Sequence, residues 1–293
     1  MPMKSSTTLP SKLFDIFNYV FLAIFALLML LPLMYVLSGS LTSDAELALK
    51  KVVLIPMEPT FDSYNYILKS GIIFQSLMYS VLITVVGTGI NIFSTALMAY
   101  PLSRTTLRGR SILMKLIVFT MLFSGGMIPT YILVKELGLL NSYWSLWLPT
   151  AISAFNLILM KNFFQNLPDS IEEAAKIDGC NDMQILFRMA LPLSMPSIAA
   201  LTLFYAVSNW NSFFNALMYI QDSNKWPIQV WLQQIVILSQ GGYDPNDSLT
   251  EFVKPPETVK LAVISVATIP ILCIYPFLQK HFAKGVLLGS VKG

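Results

Sequence analysis

Charged side chains are scarce in this chain, and their scarcity limits the class of protein it can be. Only 12% of its 293 residues are Asp, Glu, Lys or Arg, while 55% are hydrophobic and the mean hydropathy is +0.64. A soluble domain carries roughly 25% charged residues, and disordered chains have far less apolar content than this one. The composition therefore excludes both classes and predicts an integral membrane protein.

Cysteine, histidine and phosphate-binding motifs are also scarce or missing. The chain has two distant cysteines, Cys180 and Cys273, and one histidine, His281, which excludes a zinc cluster or a multi-histidine metal site. The sequence contains no P-loop of the form GxxxxGK(S/T) and no basic run interleaved with aromatics, so nucleotide and nucleic-acid binding have no support. We therefore predict a chain without metal, cofactor or enzymatic activity of its own.

Long charge-free windows predict six membrane-spanning helices. About 20 mostly apolar residues cross a bilayer as a helix, and six windows of about that length lie between charged residues. The first window is longer than the apolar region of a secretory signal and lacks a clear cleavage site, so we interpret it as a retained span. The six windows are residues 16–43, 70–103, 116–134, 137–160, 189–221 and 261–279.

Two further features modify this series of spans. Gly125, Gly126 and Pro129 predict a break within the third span, which serves either as a hinge or as a packing kink. Residues 226–243 are also free of charge, but they contain four glutamines and a Gly–Gly pair, and glutamines are costly in hydrocarbon. We predict that they form an amphipathic helix on the membrane surface or packed on the bundle.

Lysine and arginine predict the orientation of the chain. Short cytoplasmic connections carry an excess of these residues, and the connection after the second span holds Arg104, Arg108, Arg110 and Lys115 without a nearby acid. With six spans, this places both termini in the cytoplasm. The two long connections on the other side, residues 44–69 and 222–260, are candidates for contact with an external component, with a solvated connection as the open alternative.

The cytoplasmic connection at residues 162–197 is predicted to contain two short helices. Pro168 ends the preceding helix, and Ser170 with Glu173 three residues later predicts a capping box that starts a new one. Glu172 and Glu173 lie in its first turn, where the helix dipole favours negative charge. Gly179 suits the left-handed position at which a helix ends.

The second short helix makes this connection too elaborate for a simple link. Asn181 or Asp182 is expected to cap it, and Pro192 is expected to close it. Ala174 and Ala175 leave a patch of small residues where another backbone can approach. Because a plain connection needs only a few residues, we interpret this loop as an intracellular docking site.

The same loop resembles the EAA loop of ABC-importer permeases, whose pattern is EAA–x3–G–x9–I–x–LP. Other segments are similar to the carbohydrate-uptake, maltose-type branch: AYPLSR at 99–104, IPTY at 128–131, GLLNS at 138–142, WN at 210–211 and GSVKG at 289–293. The resemblance therefore covers nearly the whole chain, and it is closest to the six-span member of that branch. The pattern is matched by Glu173, Ala174, Ala175, Gly179, Leu191 and Pro192, with Met189 in place of the isoleucine.

This resemblance implies an all-α type I ABC importer permease with six transmembrane helices, in the plasma (inner) membrane of a bacterium. Two unlike permease subunits would form the pore, two copies of a cytosolic ATPase would hold ATP and Mg, and an extracellular or periplasmic binding protein would deliver an oligosaccharide. Uronate-rich polysaccharide fragments belong to the implied substrates, and glycerol-phosphate is an alternative with the same architecture. The implied divisions are residues 1–69, a permease core at 70–281 and a cytoplasmic tail at 282–293.

The resemblance also implies how the loop works. The short helix would dock in a groove on the ATPase, and closure of the ATPase pair would switch the cavity between inward-facing and outward-facing states. The implied coupling residues are Glu172, Glu173, Ala174, Ala175, Asp178, Gly179, Leu191 and Pro192.

Polar residues of the fifth span form the candidate substrate pathway. One helical stripe contains Ser208, Asn211, Ser212, Asn215 and Tyr219. Intramembrane polar residues that face a bundle interior mark a pathway. Amides can hydrogen-bond sugar hydroxyls, and aromatic rings can stack on sugars. In the alternative interpretation these asparagines hydrogen-bond neighbouring helices, and the partner permease subunit binds the sugar. All six windows lack ionisable acids and bases, which argues against an ion-coupled secondary transporter. The candidates are Ser208, Asn209, Trp210, Asn211, Phe213 and Asn215.

Overall fold

The computed structural model is helical throughout the part of the chain it describes. It describes the backbone of residues 9–50, 52–239 and 256–290, and the side chains of residues 12–50, 52–237 and 256–274. Within these ranges the chain forms α-helices, one π-helical turn and one 3-10 turn, and no strand. The all-α class is therefore confirmed. Parts of three sequence predictions, at residues 240–243, 240–255 and 291–293, lie outside the described residues.

The described residues form two compact units, of which the first comprises those that lie within Met1–Gly71 and Ile235–Val266. Its helices are α1 (Leu9–Ser40), α2 (Asp44–Lys50) and α3 (Asp62–Ser70). The apolar window of α1 has no buried residue, so its hydrophobic surface suits lipid or another subunit rather than water. The end of α1 meets α3 where Ser40 Oγ lies 2.7 Å from the Tyr64 hydroxyl. The connection at 44–69 thus contains two short helices.

The second unit comprises the described residues within Ile72–Gln234 and Ala267–Gly293. Its central helix is α4 (Ile72–Ser103), which packs most extensively against α8 (Ala154–Gln165) and α12 (Met195–Trp210). The remaining helices of the chain are α5 (Arg110–Leu122), α6 (Met127–Glu136), α7 (Trp144–Trp147), α9 (Asp169–Ile177), α10 (Asp182–Ile185), α11 (Leu191–Leu193), α13 (Phe213–Tyr219), α14 (Ile228–Ser239) and α15 (Glu257–Ser290).

Small residues allow the helices around α4 to approach closely. A Cβ added to Gly87 would lie 2.9 Å from Asn209 Nδ2, so only glycine fits there without a shift. Ala96 and Ala99 are fully buried on the same helix. Small residues at helix contacts are typical of membrane bundles, where packing rather than water exclusion holds helices together. At the same end of the unit Phe164 is fully buried and lies edge-on to a neighbouring tyrosine ring.

A second cluster of buried aromatic and aliphatic residues forms toward the other end of α4. Trp147 donates its indole N–H to the Ile83 carbonyl at 3.2 Å, and Tyr219 is buried beside it. Ile228 and Val230, at the start of α14, are fully buried as well. With only 12 residues α14 is too short to span a bilayer, which agrees with the predicted helix packed on the bundle.

Three single helices and two bent pairs are long and apolar enough to cross a membrane within the described part of the chain. The third predicted span is broken where the glycines indicated, because α5 and α6 meet at 112° around Gly126. The fourth window is divided between α7 and α8. The single helices are Lys12–Ser40, Ile72–Ser103 and Glu257–Ile274, and the second pair is Asp182–Leu193 with Met195–Trp210, bent by 86°.

Candidate functional site: a coupling loop and an intramembrane cavity

The short helix α9 ends at the predicted glycine. Gly179 has a φ of +82°, a backbone conformation that residues with a Cβ rarely adopt. Its N–H donates to the Lys176 carbonyl at 3.1 Å, and the Cys180 N–H donates to the Ala175 carbonyl at 2.9 Å. These two bonds form a Schellman motif. The last turn of α9 is therefore closed by its own backbone, with a fixed direction for the chain that follows.

The start of α9 differs from the prediction. The helix begins at Asp169, directly after Pro168, and no side chain caps it. A capping residue must have an extended backbone, and Pro168 occupies that position with φ −60° and ψ 130°. Ser170 is already helical, so the predicted capping box with Glu173 does not form.

The second short helix has the predicted cap and ends one residue after the predicted proline. Asn181 Oδ1 accepts the Gln184 N–H and Gln184 Oε1 accepts the Asn181 N–H, both at 2.9 Å, which is a complete capping box. The helix then runs through Pro192 to Leu193. A π-helical turn, Leu186–Ala190, precedes the proline. Proline interrupts an α-helical hydrogen bond, and the change to a wider turn lets the helix continue past it.

Glu172 fastens α9 to the end of α4. Its carboxylate is only 14% exposed and forms ion pairs with the Arg104 guanidinium and, at 2.8 Å, with Lys176 Nζ. The guanidinium carbon of Arg104 lies 4.5 Å from the centre of the Tyr100 ring, which adds a cation–π contact. The hydrogen bond to Glu172 raises the pKa of Lys176. The sequence predicted no partner for Arg104, because Glu172 lies in a distant segment.

The exposed face of α9 is mixed in polarity. Glu173, Ala174 and Asp178 are exposed, whereas Ala175 is fully buried, so only one of the two alanines belongs to the surface. Ile177 is 86% exposed, and a large apolar side chain in that position favours contact with another protein. Of the other predicted coupling residues, Gly179 and Pro192 are exposed and Leu191 is half-buried.

The fifth span is not one continuous helix. α12 ends at Trp210 and α13 begins at Phe213, so Asn211 and Ser212 lie in a break. The predicted stripe of polar residues is therefore interrupted at its centre. Irregular backbone at membrane depth is tolerated only where it is buried in protein or lines a water-filled cavity, which makes the break itself a candidate feature of the pathway.

Two of the six candidate pathway residues face the interior of the bundle. Asn209 donates to Thr88 Oγ1 at 3.2 Å and to Asn91 Oδ1 at 2.9 Å. The Asn91 amide in turn donates to the Thr150 carbonyl at 2.7 Å. Trp210 is buried and donates to a backbone carbonyl of α15. This network joins helices in the manner of the helix-packing alternative. Asn91 was missed, although an asparagine within an apolar window is itself a signal.

Four of the candidates line a cavity of about 190 Å³ beside the break: Ser208, Asn209, Asn211 and Asn215. The Asn211 amide donates to the Val207 carbonyl at 2.8 Å, and Phe214 supplies an apolar wall. Phe213 is half-buried and packs against the second cluster. The cavity lining contains no charged side chain among the described residues.

A bundle of apolar helices with a fastened docking loop and an uncharged polar cavity defines a membrane transport subunit. Among the described residues no group of His, Cys, Asp and Glu side chains could hold a metal ion. Residues 5–288 match the family described as binding-protein-dependent transport system inner membrane component. The chain belongs to this family, so it is a permease subunit of an ABC importer, which works with a separate ATPase and a solute-binding protein. The resemblance to ABC-importer permeases is therefore confirmed.

Relatives and a solved structure agree with this assignment along nearly the whole chain. The polygalacturonan/rhamnogalacturonan transport system permease protein YtcP of Bacillus subtilis is 57% identical over 97% of this chain and 99% of its own length. Protein LplC of the same organism is 51% identical over 98% and 97%. A crystal structure of a bacterial ABC transporter involved in the import of the acidic polysaccharide alginate superimposes with a TM-score of 0.85, at 35% identity, covering 96% of this chain and all of that one.

Proposed function

We propose that this subunit imports acidic oligosaccharides, namely uronate-rich fragments of polysaccharides. The similarity to a permease named for polygalacturonan and rhamnogalacturonan, and to a transporter of the acidic polysaccharide alginate, supports this substrate class. The observation within the chain that carries the proposal is the uncharged, amide-lined cavity at the break in the fifth span.

The chemistry of that cavity suits a uronate. The side-chain amides of Asn211 and Asn215 present N–H donors that can bind either a carboxylate or a sugar hydroxyl. Phe214 offers an apolar surface for the ring. A carboxylate in this wall would repel an anionic substrate, and the described lining has none. Without a fixed positive charge the site also releases the anion readily, which a transport pathway requires.

In this proposal the coupling loop transmits the motion of the ATPase to the bundle. Glu172, Glu173, Ala174, Asp178 and Gly179 form or support the docking surface on the ATPase. ATP and Mg bind the ATPase, whose closure displaces α9 and the helices fastened to it. Because α9 is tied to α4 by an ion pair and is joined through α10 and α11 to α12, its displacement reaches both α4 and α12. The result is a rigid-body switch between two packings.

The remaining parts of the proposal concern partners and orientation. A second, unlike permease subunit completes the pore, because one coupling loop and one half-bundle serve only one ATPase subunit. Both termini lie in the cytoplasm, on the side of Arg104, Arg108, Arg110 and Lys115. Vesicles that contain only this permease and the ATPase are expected to accumulate no sugar, and accumulation there would contradict the pairing.

A charge-discrimination experiment tests the substrate class. In proteoliposomes containing the whole complex, Asn211→Asp and Asn215→Asp place a carboxylate in the cavity wall. Two like charges about 6 Å apart repel by about 3 kcal/mol at an effective dielectric constant of about 20, so uptake of a galacturonate oligomer is expected to fall at least tenfold. Uptake of an uncharged oligomer that the complex also carries changes little. Asn65→Asp, which adds the same charge on exposed α3, is the matched control.

Equal losses for charged and uncharged oligomers would contradict the proposed uronate pathway. A second measurement addresses the helix-packing alternative. Cysteines placed at 211 and 215, in a background without Cys180 and Cys273, are expected to react with a small water-soluble thiol reagent at rates that change with ATP and binding protein. Thiols that stay unreactive throughout the cycle would assign sugar recognition to the partner subunit.

A further inference from the structure

A groove with a basic lining opens at one end of α5, on the same side of the bundle as the coupling loop. Its volume is about 890 Å³, and Arg110, Lys115 and Lys161 line it together with the hydroxyls of Thr105 and Ser111. These five side chains come from the connection after α4, the first turns of α5 and the end of α8. The groove lies apart from both the coupling surface of α9 and the cavity of the fifth span.

The three cations of the groove have no acidic partner among the side chains that the structure describes. Among the described side chains every ion pair involves other residues, and the groove lining contains no Asp or Glu. Arg110 donates Nε to the Leu102 carbonyl at 2.8 Å, and Lys161 donates to Asn162 Oδ1 at 3.2 Å. Several cations held in one concave site without counter-charge favour binding of an anion.

The position of the groove sets the kind of anion. The connection between α4 and α5 lies where two membrane-spanning segments end, because α4 is a candidate span and α5 begins the first bent pair. Ion pairing between Arg104 and Glu172 holds this connection beside the coupling helix. In the proposed orientation this is the cytoplasmic end of the bundle, at the depth where phospholipid headgroups lie.

The wall of the groove changes from polar to apolar along α5. Arg110, Met114 and Val118 follow at spacings of four residues, which places them on one face of the helix. Three and four residues after Val118, on the same side of the helix, Met121 is 53% exposed and Leu122 is 72% exposed. A ligand that fits this wall has an anionic head followed by an apolar chain, which excludes free phosphate as the best occupant.

We propose that this groove binds the phosphate headgroup of an anionic phospholipid, whose acyl chain lies along the exposed apolar face of α5. Lysine and arginine at the edge of a membrane each contribute about 1 kcal/mol to the attraction of anionic lipid, which is about fivefold in affinity. The inference uses the orientation in the proposed function but not the identity of the sugar. Its test measures lipid and not transport, so failure of either proposal can be recognised separately.

Lipid binding is measured by native mass spectrometry of the intact complex, titrated with phosphatidylglycerol or with phosphatidylcholine. The Lys115→Gln/Lys161→Gln variant is expected to bind phosphatidylglycerol about 25-fold more weakly, with phosphatidylcholine unchanged. Arg110 is left intact because it also bonds the backbone of α4. Lys135→Gln is the matched control: it removes an exposed lysine in the last turn of α6, outside the groove lining. The Lys115→Arg/Lys161→Arg variant should retain the lipid.

Three outcomes would overturn the inference. The first is unchanged phosphatidylglycerol binding in the double glutamine variant, or an equal loss in Lys135→Gln. The second is displacement of the lipid by millimolar inorganic phosphate, which would make the site a free-anion site. The third is loss of the ATPase or of the partner permease from the double glutamine variant with lipid retained, which would assign the groove to a protein interface.

Discussion

Replacing Glu172 with glutamine removes the carboxylate that lies between Arg104 and Lys176. The Arg104 side chain is only 20% exposed, so it loses its counter-ion where water replaces it poorly. A hydrogen bond to a charged group contributes roughly 1.5–3 kcal/mol, and we take about 2 kcal/mol for holding α9 on the bundle. Lys176 is 54% exposed and pairs with Glu172 across one helical turn, an arrangement that contributes roughly 0.3–0.5 kcal/mol. The two partners of Glu172 therefore differ about fivefold in energy.

The reactivity of a native cysteine, Cys180, can measure this difference in energy. Cys180 is half-buried against the core cluster next to α9 and donates its backbone N–H to that helix. In a Cys273→Ser background, its reaction with a water-soluble maleimide reports how often α9 lifts from the bundle. A loss of about 2 kcal/mol raises the open population about 30-fold. Because a half-buried thiol also reacts slowly in the closed state, we expect Glu172→Gln to increase the rate between about 10-fold and 30-fold.

The controls separate the ion pair from a general effect of charge. Lys176→Gln is expected to change the labelling rate about twofold at most. Arg104→Gln should resemble Glu172→Gln, and the variant with both changes should be little worse than either one, because they remove the same interaction. Equal rates for Lys176→Gln and Glu172→Gln, or additive effects in the double variant, would refute the reasoning.

The remaining predictions concern the loop and the bundle. Gly179→Ala adds about 1 kcal/mol of backbone strain without a clash, and should reduce the stimulation of ATP hydrolysis by loaded binding protein severalfold. Gly109→Ala introduces the same strain in equally open surroundings, so we expect it to leave this stimulation unchanged. A similar loss of stimulation in both variants would contradict a specific role of Gly179. Asn209→Ala leaves buried amide groups unsatisfied and should destabilise the purified complex by about 1–3 kcal/mol in a thermal assay, whereas Asn211→Ala changes it by less than about 0.5 kcal/mol. Gly87→Ala, which crowds the Asn209 amide at 2.9 Å, should also lower the unfolding temperature, and an unchanged value would contradict the close approach.

Features encoded within a few neighbouring residues could be predicted from the sequence. The end of α9 was predicted because a left-handed backbone position requires glycine, and Gly179 occupies it. The break in the third span was predicted from Gly125, Gly126 and Pro129 for the same local reason. The uncharged window at 70–103 predicted a helix that begins at Ile72 and ends at Ser103, because the first charges on either side lie at the limits of the apolar run.

Features that depend on distant partners could not be predicted in this way. Asn209 was predicted to lie in the substrate pathway because it is polar, and it does line the cavity. Its hydrogen bonds to Thr88 and Asn91 could not be predicted, because these partners lie on α4, more than a hundred residues earlier. The pairing of Arg104 with Glu172 is equally invisible to spacing. The predicted end at Pro192 lies one residue from the observed end at Leu193, but the wider helical turn that precedes the proline could not be predicted from the sequence.

The bend at Ser194 gives the coupling loop a mechanical advantage. The segment Asp182–Leu193 meets Met195–Trp210 at 86°, so a push along the first segment acts across the second and tilts it like a lever. Ser208 lies 13 residues beyond Met195, about 20 Å from this fulcrum at 1.5 Å per residue. A tilt of about 10° therefore sweeps Ser208 through about 3.5 Å, more than the length of a hydrogen bond. The break at Asn211 and Ser212 limits how much of that displacement passes to α13, so Ser208 on α12 and Asn215 on α13 need not move together.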